Sequence, residues 1–115
     1  MKKLLIALLS VLVICVLGSV AVFASRYNPN IPTSTISEVQ QNAYDDQHVA
    51  IDGKFVKHIY KDVFTFRDTT GTEINVEVDD DCRYVLEMDT PVRIFAEVDK
   101  DWYGIDLEVK RIQKL

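Results

Sequence analysis

The stretch VFTFRDTTGTEINVEV, Val63 to Val78, decides how the rest of the chain is read. Phe64 and Phe66 alternate with Val63, Thr65 and Arg67, while Ile74, Val76 and Val78 alternate with Glu73, Asn75 and Glu77. A period of two on both sides of a Gly-containing turn predicts a half-buried β-hairpin. Thr69-Thr70-Gly71 suits a short loop in which Gly71 takes the positive-φ position of a type I turn with a G1 bulge. That register sets Phe66 opposite Ile74 and Phe64 opposite Val76 on one face. Arg67 meets Glu73 and Thr65 meets Asn75 on the other. A slip of one residue would turn both phenylalanines into water.

Beyond the hairpin, Asp79-Asp80-Asp81-Cys82 leads into RYVLEMDT, which has no strand period and reads as a loop or a turn of helix. Pro91 to Val98 alternates again, with Val92, Ile94, Ala96 and Val98 inward and Arg93, Phe95 and Glu97 outward. Asp99 to Gly104 is a turn. Ile105, Leu107 and Val109 then alternate with Asp106, Glu108 and Lys110. Ahead of the hairpin, Tyr60-Lys61-Asp62 is a tight connection to a long first strand, His48 to Ile59. Asp52-Gly53 interrupts that strand, and a glycine there signals a bulge or a sharp bend. Thr35 and Glu38 have the spacing of a capping box. It opens a short helix with Ile36, Val39 and Ala43 on one face, followed by a loop from Asn42 to Gln47.

Five short strands and one helix predict an all-β domain over residues 33–115. A five-stranded OB-fold Greek-key barrel with a short N-terminal α-helix fits best, because a long bent first strand lets a small barrel close. A small β-sandwich or an SH3-like barrel fits the same pattern. Residues 25–32, SRYNPNIP, read as a linker. Residues 1–24 have a basic start at Lys2-Lys3, an apolar run from Leu4, and small residues before Ser25, which is the pattern of a secretory signal peptide. Left uncleaved, the same run is about long enough to anchor in a bilayer. Cys15 lacks the small residues ahead of it that a lipoprotein signal needs.

Without Lys2 and Lys3, 11 of the 13 basic residues remain against 18 acidic ones, a net charge of −7. Such a balance repels phosphate backbones and argues against a nucleic-acid partner. The outward face of the hairpin (Val63, Thr65, Arg67, Glu73, Asn75 and Glu77) also lacks the aromatics and positive charge that bind single strands. Cys82 alone remains after cleavage, so core burial stabilises the domain without a disulfide. No cofactor is implied, and neither His48 nor His58 has a nucleophile beside it in sequence. Asp79, Asp80 and Asp81 offer hard oxygen ligands to a cation such as Ca²⁺, without EF-hand spacing; the plainer reading is a solvated strand end. Arg83 beside Cys82 would lower the thiol pKa, and the acidic triplet would raise it.

The first-to-second and fourth-to-fifth strand loops flank the binding face of an OB barrel. Here they hold Tyr60, and Asp101 with Trp102 and Tyr103. Aromatic rings beside a carboxylate suit stacking on sugars and hydrogen bonding to hydroxyls. The competing reading has Trp102 folded back over the open barrel end.

Phe66-Arg67-Asp68-x-Thr70-Gly71, Val76-Glu77-Val78-Asp79-Asp80-Asp81, Val92 to Trp102 (VRIFAEVDKDW) and Glu108-Val109-Lys110-Arg111-Ile112 resemble the bacterial OB-fold (BOF) family, in its YgiW/YdeI group of small exported proteins. The helix ahead of the first strand and Asp52-Gly53-x-Phe55-Val56 resemble it too. The pattern departs at Cys82 to Met88, where a Trp and a Gly are expected, and at the mature N-terminus. The resemblance implies a periplasmic, non-enzymatic binding protein in envelope or oxidative stress tolerance. With the rim residues it predicts a glycan or peptide ligand at Tyr60, Arg67, Asp101, Trp102 and Tyr103. Two alternatives remain: docking of a membrane partner on an exposed Phe95, and a metal or redox response through Asp79–Asp81 and Cys82.

Overall fold

A computed structural model describes residues 30–115, and the chain there runs α1 (Ile36–Asn42), β1 (His48–Tyr60), β2 (Val63–Asp68), β3 (Glu73–Val78), α2 (Asp80–Arg83), β4 (Val92–Asp101) and β5 (Gly104–Lys114). The expected signal peptide, 1–24, and linker residues 25–29 lie outside the described residues. The strands close into a barrel in the order β1-β2-β3-β5-β4, with β4 returning to β1. β3 and β5 run parallel, and the other pairs are antiparallel. This is the five-stranded OB barrel expected from the alternation.

The central hairpin has the expected register: Phe66 opposite Ile74, Phe64 opposite Val76, Thr65 opposite Asn75 and Arg67 opposite Glu73. Gly71 has φ 93°, the left-handed conformation that a glycine adopts at no steric cost. Phe55, Phe64 and Phe66 fill the barrel edge-to-face, with ring centroids 5.9 Å apart for Phe55–Phe64 and 5.1 Å for Phe55–Phe66. Such pairs contribute about 0.5–1.5 kcal/mol each beyond the area they bury. The capping box forms in full: Thr35 Oγ1 accepts from the Glu38 N–H and Glu38 Oε1 from the Thr35 N–H. α1 then delivers Ile36, Val39 and Ala43 into the core.

Gly53 serves a different purpose from a bulge. It is the residue at which β1 stops pairing with β4 and begins pairing with β2. A Cβ there would stand 2.1 Å from the Arg67 carbonyl oxygen and 2.8 Å from the Asp68 Cα, so only glycine permits the approach. The register shifts of β1 fall later, between Phe55 and Lys57 and between His58 and Tyr60.

Phe95 is not the exposed contact expected from strict alternation. It is 7% exposed. A register shift between Phe95 and Ala96 breaks the period, Ala50 and Arg111 stand opposite it, and the Arg111 guanidinium lies 5.7 Å from its ring centre. Docking of a partner on Phe95 is therefore excluded by burial.

Candidate ligand-binding rim

Two hairpin connections form the rim. Lys61 and Asp62 join β1 to β2, with Lys61 at φ 46°, and hold Tyr60 out, 60% exposed. The β4–β5 connection is tighter than expected: Asp101 pairs with Gly104, so β4 runs on through Asp99 and Asp101, and Trp102 and Tyr103 alone make the turn. The Tyr103 N–H donates to Asp101 Oδ1 at 3.3 Å, the local bond by which an aspartate initiates a turn. Tight hairpins usually give these two positions to Asn and Gly. Here they hold two large aromatics at negative φ, Trp102 93% and Tyr103 73% exposed, edge-to-face with centroids 4.9 Å apart. Trp102 does not fold back over the barrel end. α1 fills the core from the N-terminal side instead.

Three hollows surround β3. One of about 450 Å³ is lined by Trp102, Tyr103, Ile105 and Ile74. A second, about 280 Å³, lies between Tyr60 and the carboxylates of Glu77, Asp99, Asp106 and Glu108. The third, about 530 Å³, holds Arg67 with Val56, Ile59 and Thr65. Ile74 is shared by the first and third, and Asn75 by the second and third. The expected site residues thus divide: Asp101, Trp102 and Tyr103 share one hollow, Tyr60 lines the acidic one, and Arg67 lines the third. Arg67 is engaged, with Nε and Nη2 donating to Glu73 Oε2 at 2.8 and 2.6 Å.

The electrostatics at the turn are negative. Asp101 first, then Asp106 and Asp99, push the Tyr103 phenol pKa up. Lys100 also lines the hollow of Trp102 and Tyr103, and its Nζ donates to the Ala43 carbonyl at 3.1 Å.

The remaining sites expected from sequence do not assemble. Asp79 leads into α2 and stands 3.7 Å from Lys110 Nζ, while Asp80 and Asp81 are exposed. Among the described residues no three His, Cys, Asp or Glu side chains converge for a metal ion. Cys82 is buried in the core, and burial, then Asp79 and Asp81, raise its thiol pKa; Lys110 only partly offsets them. Arg83 turns away, its guanidinium 5.2 Å from the Phe64 ring centre. His58 is an exposed strand histidine stacked on the Phe64 ring at 4.4 Å.

Sequence reading missed Asp68. Its carboxylate, 5% exposed, accepts from the Ile36 N–H at 2.8 Å through Oδ2, and from the Thr70 N–H, Thr70 Oγ1 and the Thr72 N–H through Oδ1. It ties the start of α1 to the β2–β3 turn.

A family model described as bacterial OB fold (BOF) protein matches residues 22–114. The chain is 36% identical over 84 residues to the calcium-regulated OB-fold protein CarO of Pseudomonas aeruginosa, over 71% of this chain and 72% of that protein. It is 39% identical over 85 residues to protein YgiW of Escherichia coli K12, over 70% of this chain and 63% of that protein. The solved structure of the hypothetical protein ygiW from E. coli superposes with a TM-score of 0.65 at 31% identity, over 76% of this chain and 94% of that one. The chain belongs to the bacterial OB-fold (BOF) family.

Proposed function

We propose that this protein is an exported, non-enzymatic binding module of the periplasm, acting in envelope or oxidative stress tolerance. Its ligand is a glycan or a peptide of the envelope. Trp102 and Tyr103 grip it, with Asp101 and Tyr60 as hydrogen-bonding neighbours and Arg67 at the far side of Ile74. One observation carries the reading: a two-residue turn in which both residues are aromatic and stand in solvent. Exposed rings have no part in the core, and they break the usual chemistry of the turn. Departures of that kind concentrate at functional sites.

The test is capture from solubilised cell envelope. The wild-type protein retains a ligand, and Trp102→Ala with Tyr103→Ala releases it while the melting temperature stays put. Equal capture by that variant refutes the rim as the site. The name of CarO ties that relative to calcium. For this chain the corresponding reading is a metal response through Asp79, Asp80 and Asp81, and it requires a melting temperature that rises with calcium and falls with chelator.

A further inference from the structure

We infer that the rim takes a basic peptide: an extended segment with Lys or Arg at alternate positions, lying across the outer face of β3, β5 and β4 with one cation against Trp102 and Tyr103. The inference rests on the rim reading above and narrows its ligand from a glycan or peptide to a cationic chain.

The aromatic pair comes first. Exposed indole and phenol faces hold sugars and cations alike, and the surroundings choose between them. A cation over such a face is drawn by the ring quadrupole. The acidic groups near this pair are Asp101, Asp99 and Asp106, the same groups that push the Tyr103 phenol pKa up. Lys100 lines the same hollow as the two rings, but its ammonium is engaged by the Ala43 carbonyl at 3.1 Å.

The face running from the turn continues in the same sign. Asp99 stands directly opposite Asp106, Glu97 opposite Glu108, and Glu77 opposite Glu108. Like charges directly opposite one another destabilise a sheet. Lys110 relieves part of this, with its Nζ 3.0 Å from Glu108 Oε1. A folded sheet gains nothing from the remaining repulsion, whereas a bound cation relieves it. Alternate residues on a strand lie about 6.8 Å apart, so Asp101, Asp99 and Glu97 repeat at the interval of alternate side chains in an extended peptide. A single ammonium group would match only one step of that repeat. A neutral sugar would leave the charges uncompensated.

Trp102 is the sole tryptophan, so its emission reports on the turn alone. The purified protein is titrated with a short peptide of alternating Lys and Thr, with its Glu-for-Lys counterpart, and with a neutral chito-oligosaccharide. The Lys peptide is expected to shift the emission and to bind about tenfold more weakly when salt is raised from 0.1 to 1 M. Asp99→Asn with Asp106→Asn is expected to lose most of that binding yet melt no lower than wild type, because the substitution removes a repulsive pair. A response to the oligosaccharide alone, an equal response to the Glu peptide, or binding indifferent to salt overturns the inference and leaves the rim reading standing. No response to any probe overturns the inference too. Envelope capture that survives loss of both rim aromatics overturns the rim reading as well.

Discussion

Replacing Asp68 with Asn tests the packing logic of the domain most sharply. The wild-type carboxylate uses Oδ2 for the Ile36 N–H and Oδ1 for three donors of the hairpin turn. An asparagine can keep the turn only by aiming its NH₂ at the Ile36 N–H, donor against donor. Flipped, it satisfies Ile36 and abandons the turn. A buried donor left without an acceptor costs about 1–3 kcal/mol, and a bond to a charged group contributes about 1.5–3 kcal/mol. A loss of about 3 kcal/mol is expected, which for a domain of this size lowers the melting temperature by roughly 12–24 °C. The pH dependence carries a sign. Burial works to raise the Asp68 pKa, but the hydrogen bonds from Thr70, Ile36 and Thr72 outweigh it, and the folded pKa lies below the ordinary aspartate value. A lowered folded pKa gives stability that is complete above the unfolded value and drains away as pH falls through the folded one. The gap between wild type and Asp68→Asn is therefore full at pH 7 and narrows in acid below about pH 4. Thermal melts by circular dichroism across that range measure it. A variant melting within two or so degrees of wild type at pH 7, or a gap that stays constant into acid, refutes the reasoning.

Three other outcomes follow from the packing. Gly53→Ala forces backbone against backbone where β1 changes partner, so it costs at least the ~3 kcal/mol upper range of overpacking; urea titration showing near-wild-type stability would contradict this. Cys82, 5% exposed with a raised thiol pKa, stays unreactive to a thiol reagent in the native protein and reacts on unfolding; rapid native labelling would place it at the surface. Arg93→Ala breaks the cross-strand pair with Asp52, where Nε and Nη2 lie 2.7 and 3.0 Å from Oδ1 and Oδ2. The loss is about 1 kcal/mol, read by denaturant midpoint, and a loss of several would mean the pair holds more than itself.

Where structure is local, the residues announce it. Period-two alternation with Gly71 fixes every partner in the β2–β3 hairpin, and Thr35 with Glu38 marks the start of α1 to the residue. Long-range chemistry is harder to read. Asp68 looks like an ordinary turn aspartate, and its bond to Ile36 spans 32 positions that no window contains. Phe95 keeps the alternation until a register shift next to it, which shows only in the pairing with β5. The acidic face is dispersed over three strands in the sequence. It becomes one surface only because β5 lies between β3 and β4. Whether Trp102 stands out from the rim or folds back over the barrel end is set by tertiary packing, because the turn residues Asp99 to Gly104 suit either, and the structure leaves the ring 93% exposed.

The measurement that bears most directly on the rim is photo-crosslinking in cells, with a photoreactive side chain placed at Trp102, at Tyr103 and, on the far side of the hairpin, at Thr69. Adducts with envelope material at the first two positions and none at Thr69 are expected. Adducts concentrated at Thr69, or none at Trp102 and Tyr103, would contradict the assignment of the rim as the binding surface.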